Sequence, residues 1–122
     1  MKEREKYSDL PVIAQWECFV RILFGITKGF PKRVKFTFAN RLDTIALEIL
    51  EALIEARYSH LSKKERLLKE VNIHLEKLRI LIRISKEERY LSLKAYEKLA
   101  REMDEIGKQV GGWLKVLSNK AS

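Results

Sequence analysis

Two histidines, one cysteine and a row of carboxylates are the side chains of this sequence best suited to act on a substrate. His60 and His74 stand fourteen residues apart, without an acid or a thiol at ligand spacing, so no metal centre is predicted. Cys18 is the only cysteine, which rules out an intrachain disulfide and a thiolate cluster. It falls in an apolar helical stretch, where a buried, inert thiol is expected. Glu48, Glu51 and Glu55 line one helix face, a pattern read as solvated or ion-paired carboxylates. No glycine loop follows a strand to cradle phosphate, because no strand pattern exists. The sequence predicts no catalytic residue, no metal and no cofactor.

The chemistry on offer is instead that of cations. The chain carries 25 Lys and Arg against 17 Asp and Glu, a net charge of +8 in 122 residues. Such a surplus favours polyanionic partners. Lys32, Arg33, Lys35 and Arg41 all precede Asp43, the first acid of their helix. Cations at the positive end of a helix cost about 0.3–1 kcal/mol each, so phosphates or an acidic neighbour are needed to favour them. A second group, Arg79 and Arg83 with Lys86 and Arg89, closes the next helix. Part of that group only complements the macrodipole. In an antiparallel bundle the two groups meet at one end and form one patch. Lys94, Arg101, Lys108 and Lys115 recur every seven residues on the last helix and read as a solvated face.

Two further features ask for contact. Ile73, Ile80 and Ile84, flanked by Leu81, make an apolar stripe on the side of helix 3 away from its core seam. Aligned exposed isoleucines mark interfaces, and self-association is expected through them. Gly107, Gly111 and Gly112 precede Trp113 inside a helical repeat, where each glycine costs about 1 kcal/mol relative to alanine. They predict a close approach, a bend or contact with another backbone or a nucleic acid.

Four helices position these residues. Helix 1 is predicted from Pro11 to Lys28, with Val12, Ile13, Trp16, Phe19, Val20, Leu23 and Phe24 on its apolar face. Helix 2 runs from Lys32 or Val34 to Tyr58, apolar around most of its circumference, with a polar stripe of Arg41, Thr44, Glu48, Glu51 and Glu55. Helix 3 opens on a capping-box pattern, Ser62 to Glu65, and carries the seam Leu68, Val71, Leu75, Leu78 and Ile82. A charged connection is expected over Ser85 to Leu91, then Ser92 as the N-cap of helix 4. Helix 4 repeats in sevens: Tyr96, Met103, Val110 and Leu117 in one row, Leu99, Ile106 and Trp113 in the other. Short connections between long amphipathic helices imply an all-α, antiparallel up-down four-helix bundle. Residues 1–122 are read as one domain, with a flexible N-terminus over 1–9 and a tail over 118–122. No apolar run reaches the ~20 residues of a membrane span, and residues 1–9 lack a signal-peptide core. A cytoplasmic protein is expected.

Residues 12–117 resemble the accessory variability determinant (Avd) proteins of diversity-generating retroelements. The likeness rests on Trp16, on Phe30-Pro31-Lys32, on the segment Leu78 to Arg83, and on Leu91 to Lys94 with Tyr96-Glu97. Its most specific part is Ile106-Gly107 with Gly111-Gly112-Trp113-Leu114-Lys115. Proteins encoded by 23S rRNA intervening sequences share the wider superfamily, but their Asn-Ile-Ala-Glu-Gly-like end to helix 2 reads Leu53-Ile54-Glu55-Ala56-Arg57 here. That departure favours the Avd branch. The resemblance implies a four-helix protomer assembled as a homopentamer, nucleic-acid (RNA or DNA) binding, and association with the retroelement's reverse transcriptase during mutagenic cDNA synthesis. The competing reading from the residues is a structural four-helix module for protein–protein interaction, with incidental charge.

Overall fold

The computed structural model describes residues 11–121, and side chains from Val12 to Asn119. The proposed flexible N-terminus, 1–9, lies outside the described residues. Helix α1 spans Pro11–Thr27, α2 Asn40–Arg57, α3 Leu61–Glu87 and α4 Leu93–Ala121. No strand occurs among the described residues. The all-helical class and the four helices predicted from periodicity are therefore present.

Helix α1 begins at a proline, whose missing N–H is not needed in a first turn. It buries Val12, Trp16, Phe19, Val20 and Leu23. Trp16 and Phe19 stack with centroids 4.2 Å apart, and the Trp16 indole N–H donates to the Ala46 carbonyl of α2 at 2.8 Å. That bond satisfies the one polar atom of a fully buried ring. Cys18 lies on the opposite side and is exposed, which corrects the expectation of a buried thiol.

The approach to α2 is not a plain α-helix. Pro31 is extended, a 3-10 turn follows over Lys32–Val34, and Lys35–Ala39 form a π-turn before α2 starts. The Thr37 hydroxyl donates to the Val34 carbonyl at 3.3 Å, competing for an acceptor that the helical ladder uses. The wide turn splits two aromatic side chains. Phe38 packs inward on Tyr90, centroids 5.6 Å apart, while Phe36 stands 91% exposed.

Helix α2 buries Leu42, Ile45, Ala46, Ile49, Leu53 and Ala56; its predicted polar stripe is exposed throughout. Leu47 and Ile54 are exposed as well. Helix α3 starts one residue before Ser62, with His60 as N-cap and no side-chain capping bond. The predicted capping box is thus not used, because Ser62 is already inside the helix. All five seam residues of α3 are buried. So is Ser85, whose hydroxyl donates to the Leu81 carbonyl at 2.8 Å. The helix continues past it to Glu87, so the connection is shorter than the charged stretch predicted from Ser85.

The end of α3 is a Schellman turn. The Tyr90 N–H donates to Ser85 O at 2.8 Å, and the Arg89 N–H to Lys86 O at 3.0 Å. The left-handed position of that turn usually holds glycine; here Arg89 occupies it with φ of 65°. Ser92 then caps α4 as predicted, its hydroxyl accepting the Ala95 N–H at 3.1 Å. Leu99, Met103, Ile106, Val110 and Leu117 of the heptad rows are buried, with Tyr96 and Trp113 packed partly against them. α4 runs on through Ala121, across the stretch read as a tail.

Helix α2 packs on α1 and α3, and α4 likewise on α1 and α3. One hydrophobic cluster draws on all four. A fully buried side chain such as Leu78 or Ile82 contributes roughly 1.5–3 kcal/mol by leaving water.

Candidate nucleic-acid and self-association surfaces

Tyr90 is the hub of the basic end. Its ring meets Phe30 (5.8 Å) and Phe38 (5.6 Å), and the Arg33 guanidinium lies over it at 5.6 Å. The turn carrying Lys32, Arg33 and Lys35 is thereby held against the connection that carries Arg89. Lys86, in the last turn of α3, sits over Tyr96 at 4.5 Å. Four exposed cations, Lys32, Arg33, Lys35 and Arg41, occupy a stretch with no acid before Asp43. Asp43 itself is half-buried and engaged, accepting the Thr27 hydroxyl at 2.9 Å. Burial pushes its carboxyl above the ordinary range, and the Thr27 bond pulls it partly back.

Arg79 and Arg83 flank a different groove, the one between α3 and α4, with Tyr96, Ala100 and Asp104. Arg79 is tied down there. It faces Glu76 at 3.3 Å and Asp104 at 3.7 Å, and donates to the Met103 carbonyl at 3.4 Å. Arg83 is exposed. On the α2 side of α3 a shallower groove is lined by Arg41, Ile45, Lys77 and Leu81. Ile80 borders both grooves. The cations thus sit on either side of the isoleucine stripe.

That stripe is uncovered. Ile73 is 57% and Ile80 40% exposed, while Ile84 and Leu81 are half-buried, Leu81 against the core. Helix α3 is therefore not sunk into an uneven bundle. A second apolar pair, part of the all-round apolar surface expected of helix 2 but not singled out in the sequence, lies on α2. Asp43 and Ala46 contact α1 through Thr27 and Trp16, and Leu47 and Ile54 follow Asp43 at helical spacing. They belong to the α1 side of α2, whereas Arg41, Ile45 and Glu55 face α3. The molecule carries two distinct apolar faces.

The glycines separate into two kinds. A Cβ on Gly107 would meet the Arg79 Nη2 at 2.8 Å, so this glycine seats the arginine against α4. Gly111 and Gly112 face open space, where a Cβ would have nothing within 4 Å, and α4 stays helical through both. Trp113 is half-buried, with Lys64 Nζ 5.8 Å from its ring. Phe36 was also missed. Its only signal was an aromatic between Lys35 and Arg41, which the expectation of a regular helix absorbed.

Among the described residues no three His, Cys, Asp or Glu side chains gather as a metal site, and no helix is long and apolar enough to cross a membrane. No curated protein matches the chain. The family model described as bAvd-like matches residues 11–117, nearly the whole described structure and nearly the same span as the likeness to Avd proteins. The chain belongs to the bAvd-like family.

Proposed function

We propose that the chain is a non-catalytic, cytoplasmic accessory protein of a diversity-generating retroelement, binding RNA or DNA through its basic end and associating with the reverse transcriptase. The observation that carries this is the run Lys32, Arg33, Lys35 and Arg41, exposed and without an interleaved acid. Family membership supplies the retroelement context. The short connections 58–60 and 88–92, with each of α2 and α4 packed on both α1 and α3, support an antiparallel up-down protomer.

Self-association is part of the same proposal. A closed ring such as a pentamer is built head to tail, so it needs two different, complementary surfaces. Ile73 and Ile80 on α3 and Leu47 and Ile54 on α2 are such a pair of faces. An interaction module without a nucleic-acid role is the second reading, and the uncovered isoleucines favour it equally.

Salt separates the two. Phosphate contacts weaken steeply with added salt, with a slope of about −0.9 per phosphate on duplex and −0.7 on single strands; an apolar contact barely responds. Binding of the full chain to an oligonucleotide, titrated from low to physiological salt, should lose roughly tenfold or more in affinity. Absence of binding at low salt, with no retention of the reverse transcriptase in co-purification, rejects the accessory role. Ile80→Lys should dissociate the assembly in sedimentation, and an unchanged species rejects that face.

A further inference from the structure

We propose that Phe36 is a stacking platform for an unpaired base, so that this chain prefers single-stranded stretches of nucleic acid to duplex; the inference rests on the nucleic-acid reading above. A lone exposed apolar residue is ordinary. Phe36 is not ordinary in three respects that converge. Its ring is 91% exposed, although its neighbour Phe38 is packed inward on Tyr90. The backbone that presents it is a π-turn, a conformation found in well under about 1% of residues and frequent at functional sites. Beside the ring opens a cleft of about 550 Å³, walled by Asn40, Arg41, Thr44 and Leu81 as well as Phe36.

The chemistry of that cleft fits a nucleotide. The ring offers a π-face, which every base can cover. Asn40 offers an amide donor and acceptor at its wall, and Thr44, whose hydroxyl donates to the Asn40 carbonyl at 2.8 Å, offers an acceptor. Arg41 supplies the positive charge of the lining, with Arg33 and Lys35 exposed on the turn that leads to it. A nucleotide brings its own phosphate to these cations. A paired base keeps both faces inside its stack and cannot cover the ring without being pulled out. An unpaired base covers it at no such cost.

The test uses the full chain and labelled oligonucleotides of roughly 16 nucleotides, one single-stranded and one duplex, with Phe36→Ala, Phe36→Trp and the wild type. Phe36→Ala should lower single-strand affinity roughly 5- to 100-fold, leave duplex affinity and the salt slope unchanged, and be rescued by Phe36→Trp. Equal losses on both oligonucleotides, or none, overturn stacking while leaving phosphate binding in place. A change of sedimenting species in Phe36→Ala assigns the ring to a second copy and overturns it as well. If the wild type binds neither oligonucleotide at low salt, the nucleic-acid reading itself is refuted, and this inference with it. An exposed ring makes Phe36→Ala safe for folding, which an unchanged melting curve confirms.

Discussion

The turn over residues 31–41 and the outer face of α4 carry the same number of cations in opposite settings. On α4, Lys94, Arg101, Lys108 and Lys115 are spread at seven-residue intervals along a regular, exposed helix face. Over 31–41, Lys32 and Arg33 stand on a 3-10 turn and Lys35 on a π-turn, and Arg41, in the first turn of α2, lines the cleft beside an exposed ring. Evenly spaced charge solvates a helix. Charge collected on irregular backbone, with an aromatic among it, is an arrangement that local helix stability does not favour and a ligand can.

Neutralising each region in turn tests this contrast most directly. Replacing Arg33, Lys35 and Arg41 together by alanine should reduce oligonucleotide affinity roughly 10- to 1,000-fold at low salt and make the salt slope shallower by about 2 to 3. Replacing the four α4 cations by glutamine should change affinity several-fold at most, through the general field alone. Equal losses from the two sets, measured by anisotropy across salt, would erase the distinction.

A smaller effect is expected at the turn after α3. Arg89 holds a left-handed conformation that costs a side-chain-bearing residue about 1 kcal/mol relative to glycine. Arg89→Gly should raise stability by about that amount in a urea melt and weaken binding at the same time. A variant that is stabilised yet binds as the wild type would remove Arg89 from the basic end.

The smallest effect concerns pH. Burial raises the Asp43 carboxyl above its ordinary 3.8, with Thr27 opposing. The fold therefore disfavours the ionised form. This contribution to stability is fully present below the unfolded value and is lost as pH rises through the folded one. Asp43→Asn should melt slightly higher than the wild type at about pH 7, and the difference should vanish at about pH 3. A gap that widened on acidification would mean that the ionised carboxylate is the stabilising form, through the Thr27 bond.

The helices and the core were legible because their periods are long and clean. The α3 seam from Leu68 to Ile82 and the α4 rows from Leu99 to Leu117 are buried where their spacing puts them, Trp113 only in part. What was not legible is backbone that departs from the period. Spacing alone cannot show a π-turn, so Phe36 was averaged into a regular helix. A Schellman turn built on arginine carries no glycine to announce it. The Ser62 pattern misled because capping depends on which residue the chain leaves outside the helix. Of the expected surfaces, the isoleucine stripe was readable from seven-residue spacing. The Leu47 and Ile54 pair was hidden in a helix that is apolar almost all round.

Tyr90 has one more consequence. Through Phe30, Phe38 and Arg33 it anchors the turn after α1 to the turn after α3. The cations of these two turns are therefore not borne on independently wandering loops; their mutual spacing is built in before any ligand arrives. A preorganised array spares a partner the entropy of assembling it, so affinity at this end should depend on how well phosphates match a fixed template rather than on how readily the protein adapts to them.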